Sequence, residues 1–121
     1  MQQGRDDVGT IDDLHASARK ITGLDDFGTD DYGEALAVLL ESYARDARLT
    51  PWGNKGVRAA LRGALVARQL SEAASRQYPE HADVALEKPI VVIGLPRTGT
   101  TALHRLRCED PRHQGLEMWL T

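Results

Sequence analysis

The chain has 121 residues, 41% hydrophobic and 27% charged, with a formal net charge of −3 at neutral pH. That length allows one domain, and the balance is that of an ordinary globular protein. So mild a charge does not imply a nucleic-acid surface, which is not expected, so that any nucleotide site must be local. Its single cysteine, Cys108, cannot form an intramolecular disulfide, which fits a reducing cytosol. No run approaches the ~18 apolar residues of a membrane span.

Met1 to Gly9 reads as a loose polar tail without the apolar core of a signal peptide. Thr10 is a helix N-cap, with Asp12 and Asp13 in the first turn favouring the helix dipole. Ile11, Leu14, Ala18 and Ile21 recur at helical spacing, and Gly23 is the stop. Leu24 to Thr29 is a loop. A second helix is expected from Asp30 or Asp31, with Leu36, Leu39, Leu40, Tyr43 and Ala47 as its apolar stripe.

Thr50-Pro51 has the form of an N-cap followed by the first helical position, although Gly53 and Gly56 weaken the turns after it. A third helix runs from Val57 to Gln77. Its polar residues Arg58, Arg62, Gln69, Glu72 and Arg76 are expected to form a solvated face, with Glu72 pairing Arg76 one turn on. Pro79 ends it or opens a short helix through Leu86.

Lys88 to Ile93 is a short β-branched run, apolar on both faces, as in a parallel strand covered on both sides. Gly94-Leu95-Pro96-Arg97-Thr98-Gly99 comes next as a tight loop. Thr100 to Cys108 is the next helix, stopped by Asp110-Pro111. His113 to Thr121 would begin another strand or loop. The fold class expected is α/β, with a helical lead-in over 1–87 and a strand, loop and helix over 88–108, the whole of 1–121 forming a single partial domain. A lone parallel strand needs neighbours for its backbone groups, so the chain reads as the N-terminal piece of a larger α/β protein, or as one that must pair with something else, and is expected to be inactive on its own.

The loop carries the chemistry. Gly94 lets the chain turn off the strand, Pro96 fixes φ, and Gly99 removes bulk where a phosphate would approach. Thr98, Gly99, Thr100 and Thr101 can present successive N–H donors at a helix start. Two threonine hydroxyls and the Arg97 guanidinium can join them. Gly94 and Gly99 have the spacing of the phosphate loop of nucleotide triphosphatases, and Thr101 takes its Ser/Thr position. Thr100, however, stands where that loop has its lysine. The basic group has moved to Arg97.

That variant resembles the sulfotransferase family, whose 5′-phosphosulfate-binding loop reads Pro-Lys/Arg-Ser/Thr-Gly-Thr-Thr after a parallel strand. Pro96-Arg97-Thr98-Gly99-Thr100-Thr101 matches every position. Leu103-His104-Arg105-Leu106, Asp110-Pro111 and Trp119 are similar to the helix and next segment of bacterial members. Gly23 to Gly28 and Arg62 to Arg68 are similar to mycobacterial-type members. The resemblance implies a P-loop-like α/β fold, 3′-phosphoadenosine 5′-phosphosulfate (PAPS) as sulfuryl donor, an acceptor hydroxyl or amine, and no metal. It implies that Pro96 to Thr101 bind the donor, the N–H groups of Thr98 to Thr101 holding its 5′-phosphate, and that Arg97 is catalytic, stabilising charge on the bridging oxygen.

The residues that bind the donor's 3′-phosphate, and the general base, have no counterpart in the chain. Arg107 also departs from the family, standing where an apolar residue is usual, and would point a charge towards the sheet. The alternative readings are a P-loop kinase or triphosphatase, which Thr100 opposes, and a non-enzymatic helical remnant. His104 is expected in packing or solvent contact, Cys108 as an inert small residue, and His15, His81 and His113 at the surface.

Overall fold

A computed structural model describes residues 7–116. The described residues fall in two compact units, Met1–His81 and Ala82–Thr121, each taken by itself below.

In the first unit, helix α1 (Ile11–Thr22) opens on a reciprocal cap. Thr10 Oγ1 accepts from the Asp13 N–H at 3.2 Å, and Asp13 Oδ2 accepts from the Thr10 N–H at 2.9 Å. It closes at Gly23, whose φ of +71° only glycine adopts cheaply. Helix α2 (Gly33–Arg45) starts at Tyr32 without a side-chain cap, slightly later than the Asp30-Asp31 expectation. It stops before Ala47, which is exposed, and Leu39 also lies at the surface. Leu36 alone of the expected stripe is fully buried, with Leu40 and Tyr43 half-buried.

Helix α3 (Pro51–Gln77) begins at the first residue the sequence allows, because Thr50 Oγ1 accepts from the Gly53 N–H at 3.1 Å and Pro51 needs no partner for its nitrogen. Gly53 and Gly56 do not delay it. Pro79–Asp83 is a single 3₁₀ turn rather than a helix to Leu86.

The core lies chiefly between α1 and α3. Leu14 and Ala18 are 0% exposed and pack with Phe27, Leu36 and Leu65. Ile11, Leu40, Leu61 and Val66 extend this cluster.

One face of α3 differs from expectation. Gln69 is 1% exposed. Its Nε2 donates to the Leu24 carbonyl at 2.5 Å, and its Oε1 accepts from Thr22 Oγ1 at 2.9 Å. Arg58 donates to the Val8 carbonyl at 3.1 Å, Arg76 pairs with Asp26 instead of Glu72, and Glu72 lies against Gly28. The face is polar because chain without regular structure runs across it, and exposed-looking side chains satisfy that chain's backbone.

In the second unit, helix α4 (Thr100–Cys108) has the expected bounds. The run expected as a strand, Lys88–Ile93, forms no ladder among the described residues. A strand is defined by a neighbour, and none of the described residues pairs with it. Val91 and Ile93 are 75% and 88% exposed. Arg107 is exposed too, with no sheet before it among the described residues, so the burial cost anticipated for its charge does not arise. The part of the expected final element beyond residue 116, with Trp119, lies outside the described residues.

Gln69→Leu should lower stability by about 1–3 kcal/mol, because a matching apolar shape leaves the Leu24 carbonyl without the Gln69 donor, while the Thr22 hydroxyl keeps the Ala18 carbonyl. Denaturant unfolding checks this against exposed Lys55→Ala, which should stay within about 0.5 kcal/mol of the parent.

Candidate functional site

The loop Gly94–Gly99 turns back on itself through one acceptor. The Leu95 carbonyl receives the Thr98 N–H at 3.3 Å and the Thr98 hydroxyl at 2.6 Å. Arg97, inside that turn, takes a φ of +66°, a left-handed conformation rare for a residue with a side chain. Its guanidinium is exposed and has no partner among the described residues. The two glycines act differently. A Cβ on Gly94 would lie 2.7 Å from Thr100 Cγ2 and 2.8 Å from Thr98 Oγ1, so the loop's two ends meet where only glycine leaves room. Gly99 has open space around it, but its φ of +90° calls for glycine.

Gly99 is the N-cap of α4 and offers no side-chain cap. The first helical bond is Leu103 N–H to the Gly99 carbonyl at 3.0 Å. The N–H groups of Gly99, Thr100, Thr101 and Ala102 therefore have no acceptor among the described residues, as the geometry of a helix start dictates. The Thr100 and Thr101 hydroxyls are likewise uncommitted, Thr101 being exposed and Thr100 half-buried. Four backbone donors, two hydroxyls and a guanidinium thus lie within a few consecutive residues at the positive end of a helix.

The structure differs from the sequence reading in two donors. Thr98, expected to offer its N–H to an anion, spends both N–H and hydroxyl on the turn. Ala102, not among the expected donors, contributes the fourth N–H of the helix start. Counting positions from Thr100 would have found it.

Around the loop helix, His104 is exposed and stands one turn before Cys108, with Sγ 3.8 Å from Nε2 and Gly115 close against the sulfur. Past the helix end, Arg112 grips Asp110 at 2.7 Å and holds its carboxyl down at about 2. No group of three metal-ligating side chains occurs among the described residues, and none of their helices is long and apolar enough to cross a membrane.

The helix start gathers unpaired donors at one place, and a solved structure says in which class of protein such a segment occurs: over 96% of its length the chain is similar to a sulfotransferase. That protein is sulfotransferase STF1 from Mycobacterium tuberculosis H37Rv (type1 form), 65% identical, with a TM-score of 0.87. The likeness to the sulfotransferase family is thereby shown. The chain spans 32% of that protein's length. No protein-family model and no curated protein matches the chain.

Gly99→Ala should strain the left-handed N-cap by about 1–2 kcal/mol and speed amide exchange in Leu103–Arg107. Gly94→Ala should disturb Thr98 and Thr100 by contact instead, with less effect on those helix amides. Exchange measured residue by residue separates the two mechanisms.

Proposed function

We propose that the chain is the donor-binding part of a sulfotransferase domain with a P-loop-like α/β fold, the helical lead-in covering 1–87 and the phosphosulfate-binding unit 88–108. The observation that carries this reading is the unmatched donor set at Thr100, Thr101 and Ala102, beside the free guanidinium of Arg97. The residues present suit the 5′-phosphosulfate end of PAPS. Pro96 and Gly99 shape the loop. Thr100 and Thr101 bind the 5′-phosphate through N–H and hydroxyl, Ala102 adds its N–H, and Thr98 holds the turn.

In the reaction, an acceptor hydroxyl or amine attacks sulfur and the bond from sulfur to the bridging oxygen breaks. The departing adenosine 3′,5′-bisphosphate takes the electron pair, and the acceptor's proton leaves to a base that no described residue supplies. Arg97 is the catalytic residue, its charge aimed at the bridging oxygen as negative charge develops there. Preorganised donors of this kind are worth about 3–4 kcal/mol in other enzymes. The property proposed for the chain alone is binding of the donor end, without turnover.

Adenosine 3′,5′-bisphosphate titrated into the chain by calorimetry should bind, and Arg97→Ala should weaken it by about 10- to 100-fold, the range for a hydrogen bond from a charged group. Absence of binding in a sample that melts cooperatively would defeat the reading. Arg105→Ala, on the same helix but away from its start, should leave the affinity unchanged.

A further inference from the structure

The loop between α1 and α2 is pinned by a column of rings. Arg19 lies over the Phe27 ring at 5.2 Å. Phe27 stacks against the His15 imidazole with centroids 4.4 Å apart. His15 meets the edge of Tyr32 at 5.9 Å, and its Nε2 lies 2.9 Å from the Tyr32 hydroxyl. Arg68 of α3 covers Tyr32 at 4.6 Å. A guanidinium therefore caps each end of the column, and a half-buried imidazole sits at its centre. The expectation that His15 is a surface residue is overturned.

We propose that His15 is an acid-operated latch: neutral, it holds Leu24–Tyr32 between α1 and α3, and a proton on its ring loosens that loop and the start of α2. A third positive charge would enter a column that already holds two. From α1, Arg19 opposes it and Asp12 favours it. From the loop Asp30 favours it, while Arg68 of α3 lies over the far side of Tyr32. Arg19 and Arg68 in turn pair with Asp25 at 3.2 Å and Asp31 at 2.6 Å, which fixes the two caps in place. Burial first, then Arg19, hold the His15 pKa below its ordinary 6.5. The opened loop binds the proton more readily than the closed one, so the latch is fully effective above pH 6.5 and is lost as pH falls through the window below it.

The test is made on the whole chain between pH 8 and 5. The His15 ring resonance, followed by NMR, should titrate with a midpoint below 6.5. Exchange of the Phe27–Tyr32 amides, corrected for its intrinsic pH dependence, should accelerate by up to about tenfold per pH unit within the window. In His15→Gln, an uncharged hydrogen-bonding side chain, that acceleration should vanish. A midpoint at or above 6.5, corrected exchange that ignores pH, or acceleration that persists in His15→Gln would each overturn the proposal. If His15→Gln does not fold, the ring titration and exchange of the parent chain decide it.

Discussion

Ten residues between α1 and α2 have no ladder or helix to absorb their backbone polar groups, and the first unit depends on how that need is met. Two adjacent residues of α3 do much of it. Arg68 donates from Nε to the Phe27 carbonyl at 2.5 Å and from its terminal nitrogen to the Thr29 carbonyl at 2.8 Å. Gln69 takes the Leu24 carbonyl and the Thr22 hydroxyl. A buried carbonyl left alone costs about 1–3 kcal/mol, comparable to burying a whole leucine side chain. The small core of Leu14, Ala18, Phe27, Leu36 and Leu65 therefore rests on polar contacts as much as on apolar ones, because Phe27 reaches it only while the loop is held.

The second unit shows the opposite arrangement, and its chemistry comes from donors left unsatisfied. Gly99 gives α4 a start with no cap, where Thr10 and Thr50 cap α1 and α3. A serine or aspartate at the N-cap would have claimed an N–H that an anion could use. The missing cap stands beside Arg97, whose guanidinium is exposed and whose φ is +66°.

Helix ends were legible in the sequence at Thr10, Gly23 and Asp110-Pro111, which act locally. The turn at Gly94–Gly99 and the uncapped start of α4 were legible for the same reason, since both follow from the glycines and the helix start. The third helix, by contrast, was expected from Val57 and starts six residues earlier, at Pro51, since Gly53 and Gly56 do not break its first turns. What could not be read was anything set by chain crossing chain. Gln69, at helical spacing from other polar residues, looks solvated until the Leu24 segment covers it. His15 looks free until Phe27 and Tyr32 close on it. Lys88–Ile93 has the composition of a strand, but composition supplies no neighbour, and extended chain without one has no ladder to join.

That asymmetry divides the candidate site. The N–H donors of Thr100, Thr101 and Ala102 come from α4 alone, through bonds between residues four apart, and need no sheet to exist. Arg97 is held differently. Its left-handed backbone depends on the two Thr98 bonds to the Leu95 carbonyl, and Leu95 lies just after the unladdered run. A left-handed residue with a side chain costs about 1–3 kcal/mol and persists only where its surroundings fix it. Here two hydrogen bonds to a single carbonyl fix it, while the approach of Gly94 to Thr100 sets how far the loop can open. The free N–H donors and the placement of the Arg97 guanidinium are therefore separable features of this chain: the first are local to a helix start, and the second is only as firm as the turn before it.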